Sequence, residues 1–125
     1  MPESHWSAEE IYLVAQRGYE LLLEGKVTDA LCIFEGLIVV APEQPHCRRI
    51  LSGIYLQAGE PAKALVQADW CLTRDAGDAE ARARRCEALM ALGRRSEAAR
   101  ELDGLKRSAP ARLWRRLELR LQASN

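Results

Sequence analysis

Histidine is nearly missing from this sequence: of 125 residues, only His5 and His46 carry an imidazole. Four cysteines are present, Cys32, Cys47, Cys71 and Cys86, but no two stand as Cys-x-x-Cys. That leaves no donor set with the spacing of a zinc site. The thiols read instead as reduced, small apolar residues of a cytoplasmic protein. Long apolar runs are missing too. The longest, Leu37 to Pro42, falls far short of the roughly 20 residues that cross a bilayer, so no membrane insertion is expected. The opening Met-Pro-Glu-Ser-His-Trp has neither the basic region nor the apolar core of a secretory signal, and a cytoplasmic location is expected.

Net charge is the next absence. Eighteen basic and eighteen acidic side chains cancel, which argues against a dedicated nucleic-acid binder with its net basic footprint. With 48% hydrophobic, 29% charged and 6% aromatic residues, the composition excludes disorder and low complexity and fits one soluble domain over residues 1–125. A domain of this size buries roughly two-thirds of the surface its unfolded chain exposes, so it needs neither metal nor disulfide to fold. The zero is nevertheless an average. Residues 1–44 hold eight acidic and two basic side chains, residues 45–78 four of each, and residues 79–125 six acidic and twelve basic. The chain is neutral in sum and bipolar along its length.

Catalytic constellations are absent as well. There is no Gly-rich phosphate loop, no strand-turn-helix setting for a nucleophile and no His-Glu-x-x-His. His46, with Arg49 one turn on, reads as a surface or groove histidine, and Glu9-Glu10 as an acidic helix start that complements the helix dipole. No enzymatic activity and no cofactor are expected, so function should lie in surfaces.

What the sequence does contain is a period. Gly25, Gly59 and Gly93 are 34 residues apart, as are Ala30, Ala64 and Ala98. Leu21, Tyr55 and Leu89 form a third series at that spacing, Gly18, Ser52 and Cys86 a fourth, and Phe34, Ala68 and Leu102 a fifth. Pro42 and Pro110 end the first and third units, with Ala76 between them. Within each unit two stretches of helical period flank the glycine, for example Ala8 to Glu24 and Thr28 to Val40. The glycine can take the left-handed conformation that closes a helix, Thr28 and Ser96 suit helix caps, and Pro45 and Pro61 suit a first helical turn. The small residues of the fourth and second series let paired helices approach, and each hairpin must stack on the next to cover its apolar face. Leu113, Trp114, Leu117, Leu119 and Leu121, with Arg115, Arg116, Glu118 and Arg120 between them, read as a capping helix over residues 111–123. Trp70 and Trp114 are expected in the core.

This pattern resembles the tetratricopeptide repeat (TPR), with units at 11–44, 45–78 and 79–112. The resemblance implies an all-α, TPR-like α-solenoid of three helix-turn-helix repeats and a capping helix, seven helices in all. It also implies a concave groove lined by the first helix of each unit. The groove positions are Tyr12, Ala15, Tyr19 and Leu22, then His46, Arg49, Gly53 and Leu56, then Glu80, Ala83, Glu87 and Met90. Two aromatic rings among aliphatic and charged side chains suit a protein or peptide partner with apolar anchors. The clamp with which chaperone-tail binders hold a C-terminal carboxylate would fall on Ala15, Tyr19, Ile50, Glu80 and Arg84, and only Arg84 has the required chemistry.

A narrower resemblance lies in the first unit. Gly25-Lys26, Asp29-Ala30, Phe34, Leu37 and Val39 follow the Gly-Lys-x-x-Asp-Ala-x-x-x-Phe-x-x-Leu-x-Val stretch of class II type III secretion chaperones, small bacterial cytoplasmic proteins that hold translocator subunits. Cys86, Gly93, Glu97 and Ala98 follow their third unit. The short stretch before the first helix and the Arg-rich tail depart from them. The resemblance implies a chaperone that masks an apolar segment of its client; the alternative is a general scaffold or adaptor linking two cytoplasmic proteins. If the units stack in chain order, the acidic and basic ends lie apart, which would favour homo-oligomers joined head to tail.

Overall fold

Ser7 fixes where the first helix begins. Its Oγ accepts a 3.1 Å hydrogen bond from the Glu10 N–H, and Glu10 Oε1 accepts one of 3.0 Å from the Ser7 N–H. This reciprocal pairing satisfies two amides that a helix start leaves open. The computed structural model describes residues 6–123, so His5 lies outside the described residues. It runs through α1 (Ala8–Leu23), α2 (Val27–Val40), α3 (Pro45–Gln57), α4 (Pro61–Arg74), α5 (Ala79–Ala91) and α6 (Arg95–Ser108), then a 3-10 turn (Ala111–Leu113) and α7 (Arg115–Ala123). The described residues contain no strand, and the architecture is the expected all-α solenoid of seven helices.

Three glycines close the first helix of each hairpin. Gly25, Gly59 and Gly93 have φ of 80°, 76° and 76°, a region that costs other residues about 1–2 kcal/mol. The turn repeats atom for atom. Gly25 N–H donates to Leu22 O and Lys26 N–H to Leu21 O, and the same pair of bonds recurs from Gly59 and Glu60 to Leu56 and Tyr55, and from Gly93 and Arg94 to Met90 and Leu89. The next helix starts at once. Thr28 and Ser96 are therefore not caps: the cap residues are Lys26 and Arg94, neither of which offers a side-chain hydrogen bond, and Thr28 and Ser96 lie inside the first turns of α2 and α6. The glycine turn already fixes the backbone that a side-chain cap would otherwise stabilise. Pro45 and Pro61 do open α3 and α4.

The tail over residues 111–123 is divided, not one continuous helix. Trp114 interrupts it with φ −126°, and its Nε1–H donates to Ala109 O at 3.0 Å, pinning the indole back against the end of α6.

Small residues set the crossing within each hairpin. Any Cβ on Gly18 would stand 2.7 Å from Ile33 Cγ2 and 2.8 Å from Phe34 Cε2. In the later hairpins the equivalent side chain is polar and bonded: Ser52 Oγ donates to Ala64 O at 2.8 Å, and Cys86 Sγ to Ala98 O at 3.4 Å. Cys47, Cys71 and Cys86 are buried as expected, whereas Cys32 is exposed; it sits on α2 away from the fully buried Phe34 and Leu37.

Helices pack in chain order, α1 on α2, α2 on α3 and so on to α6 on α7, with α3 also touching α5. The core forms two apolar clusters. One gathers Phe34, Leu37, Leu51 and Ile54 from α2 and α3, the other Leu89, Leu102, Leu105 and Leu117 from α5, α6 and α7, and Leu65 packs against both. Full burial of each large side chain contributes about 1.5–3 kcal/mol.

Trp70 departs from its expected place in the core. It is half-buried, with the guanidinium groups of Arg48 and Arg74 at 4.2 and 3.6 Å from the ring centroid. Arg48 is fixed there by two bonds to Pro42 O and one to Gln67 Oε1, so the tryptophan closes the link between α2 and α3. Among the described residues no helix is long and apolar enough to cross a membrane.

Candidate partner-binding face

The first helices of the three hairpins, α1, α3 and α5, carry the residues expected to face a partner. On α1, Tyr12 and Tyr19 stand one above the other at seven-residue spacing, 65% and 48% exposed. Leu22 beside them is half-buried and packs on the first core cluster, and Ala15 belongs to that cluster. On α3, His46 is exposed and Leu56 half-buried against the same cluster. On α5, Glu80 is exposed, Ala83 is buried, and Met90 packs on the second cluster.

The charged positions are largely engaged with one another. Arg49 reaches from α3 to Asp78 Oδ2 at 2.9 Å and stands 3.9 Å from Glu80. Asp78 is well placed to hold it, since its other oxygen accepts from the Ala81 N–H at the start of α5. Glu87 lies between two guanidinium groups, 3.2 Å from Arg120 and 3.8 Å from Arg84. Arg84 rests against α3: a Cβ on Gly53 would come within 3.2 Å of its Cζ and Nε.

At the carboxyl-terminal end of this face, α5 and the tail enclose a cleft of about 320 Å³. Glu80, Ala83, Arg84 and Glu87 line one side, and Arg112, Leu113, Arg116, Leu117 and Arg120 the other. The sequence did not reveal this meeting, because Arg84 belongs to a repeat and the other arginines to the tail read as a capping helix. The expected groove positions also omit Leu23, 73% exposed, on the same stripe of α1 as Tyr12 and Tyr19; its helical spacing was the available signal.

The titratable groups that shift are structural. Burial pushes the Cys86 thiol up to about 11, and burial followed by the hydrogen bond to Glu35 raises the Tyr55 phenol. Among the described residues no group of three or more His, Cys, Asp or Glu is placed to hold a metal ion.

No family model matches the chain, and no curated protein does. Solved structures do. The first TPR of Spaghetti (RPAP3) bound to the HSP90 peptide SRMEEVD is 18% identical, with 96% of each chain covered and a TM-score of 0.83. The Sgt2 TPR domain from Aspergillus fumigatus is 17% identical over 99% of this chain and 84% of that one, with a TM-score of 0.81. PcrH in complex with the chaperone binding region of PopD is 20% identical over 98% of this chain and 96% of that one, with a TM-score of 0.82. Agreement over nearly the whole length at such low identity is agreement of architecture, and with the glycine turns and the stacking order it establishes that the chain has the tetratricopeptide-repeat fold.

Proposed function

We propose that the chain is a protein-binding module that holds an apolar segment of a client against the face of α1, α3 and α5, in the manner of a small cytoplasmic type III secretion chaperone. The observation that carries this reading is the exposed stripe of Tyr12, Tyr19 and Leu23 on α1. Large apolar side chains left in water along one line of a helix form the kind of surface that a partner helix or extended peptide covers. The fold shared with PcrH, a type III secretion chaperone, supports the reading, as does the Gly25 to Val39 motif. The HSP90 peptide held by Spaghetti does not transfer to this chain, since Ala15, Tyr19, Ile50 and Glu80 supply none of the cationic or amide donors with which a terminal carboxylate is clamped.

Co-expression with an aggregation-prone translocator-type client tests the proposal. The client becomes soluble in a complex with the wild-type chain, and Tyr19→Asp or Leu56→Asp abolishes the complex. A complex unaffected by both substitutions, with both variants folded by circular dichroism, overturns it.

A further inference from the structure

We propose that the cleft between α5 and the tail binds an acidic, aliphatic segment of a protein partner, with Arg84 and Arg116 as the principal donors to its carboxylates; this deepens the protein-binding reading and rests on it. The cleft brings four guanidinium groups together with two carboxylates over a floor of Ala83, Leu113 and Leu117. Its own carboxylates are already engaged: Glu87 with Arg120 and Arg84, Glu80 with Arg49. Arg112 and Arg116, both exposed, are left with no acidic partner among the described residues. The cleft therefore carries an uncompensated positive charge beside an apolar floor.

Arg84 is positioned in advance. The missing side chain of Gly53 lets its guanidinium lie flat against α3, so less freedom is lost when a ligand binds. A planar guanidinium presents paired N–H groups that match a carboxylate. The floor has room for an aliphatic side chain next to that carboxylate. The apolar floor of Ala83, Leu113 and Leu117 gives a phosphodiester backbone nothing to pack against, whereas leucine-like side chains fit it, which favours a peptide over a nucleic acid.

Fluorescence anisotropy decides the matter. The probes are a labelled, amidated peptide of alternating glutamate and leucine, its glutamine counterpart, and a polyuridine oligonucleotide. The glutamate peptide should bind about ten-fold more tightly than the glutamine peptide, and the preference should shrink as salt is raised. Arg84→Gln combined with Arg116→Gln should remove the preference while leaving the melting temperature in place, and Gly53→Ala should weaken the glutamate peptide alone. If the double variant is unstable, Arg116→Gln by itself serves, and it should still reduce the preference. Equal binding of the two peptides, a preference that survives in the variants, or an oligonucleotide bound as tightly as the glutamate peptide overturns the inference. A client complex lost on Tyr19→Asp, while the two peptides bind equally, overturns this inference alone. A complex indifferent to Tyr19→Asp and Leu56→Asp overturns the proposed function instead, whatever the peptides do.

Discussion

Tyr55 Oη donates a 2.6 Å hydrogen bond to Glu35 Oε2, tying α3 to the second helix of the preceding hairpin. Tyr55→Phe keeps the ring and removes the bond. Because Glu35 is only half-buried, the cost should be about 1–2 kcal/mol, toward the low end for a bond to a charged group. The bond also has a pH signature. Burial, then the Glu35 carboxylate, holds the phenol above its ordinary 10.0. A raised value in the folded state stabilises fully below the unfolded value, and that contribution is lost as pH climbs past it. The melting temperature of the wild type should therefore fall more steeply above about pH 10 than that of Tyr55→Phe.

Cys86 offers a second alkaline test. Burial raises its thiol from 9.0 to about 11, so its contribution is present below 9.0 and disappears as pH rises through the folded value. Cys86→Ser retains a donor for Ala98 O, as Ser52 does for Ala64 O, and does not ionise. Urea denaturation should show the variant within about 1 kcal/mol of wild type at neutral pH. The gap should move in favour of the variant between pH 9.0 and about 11.

Gly18 and Gly104 should respond oppositely to alanine. At Gly18 the new methyl group meets Ile33 and Phe34 at under 3 Å, and overpacking should cost about 1–3 kcal/mol. At Gly104, inside α6 with nothing within 4 Å, alanine should stabilise by about 0.5–1 kcal/mol through helix propensity. Thermal melts of the two variants give the sign of each directly.

Gly59→Ala should cost about 1–2 kcal/mol although no atom lies near the added methyl group, since the penalty comes from φ 76°. Gly59→Asn should lose less, asparagine being better tolerated in that conformation. Equal loss from both in chemical denaturation would point to a contact rather than to backbone conformation.

The turns were legible in the sequence because they repeat. Gly25, Gly59 and Gly93 advertise a left-handed closure at fixed spacing, and the small residues before and after each one mark where the helices cross. Thr28 and Ser96 misled because a backbone turn needs no side-chain cap, so their proximity to a helix start carried no information. The cation sandwich on Trp70 and the bridge from Glu101 to Arg82 and Arg85 were not legible, since long side chains reach across helices without leaving a period. On the candidate face of α1, α3 and α5, the aromatic spacing on α1 could be read directly. The cleft could not, because its walls come from segments about 30 residues apart that only the packing of α7 on α5 brings together.

Leu65 packs against both apolar clusters, which makes it a seam as well as a clasp. Ala88 of α5 belongs to the first cluster and α5 also packs on α4 and α3, so the two bodies of core meet along α5, where each can still open with its own local free energy. A client segment running from the aromatic stripe of α1 to the cleft beside α7 would cross that seam on the outside, like a splint on a joint. Amide protons of α5 and α6 would then exchange more slowly in the complex even where the client touches neither helix.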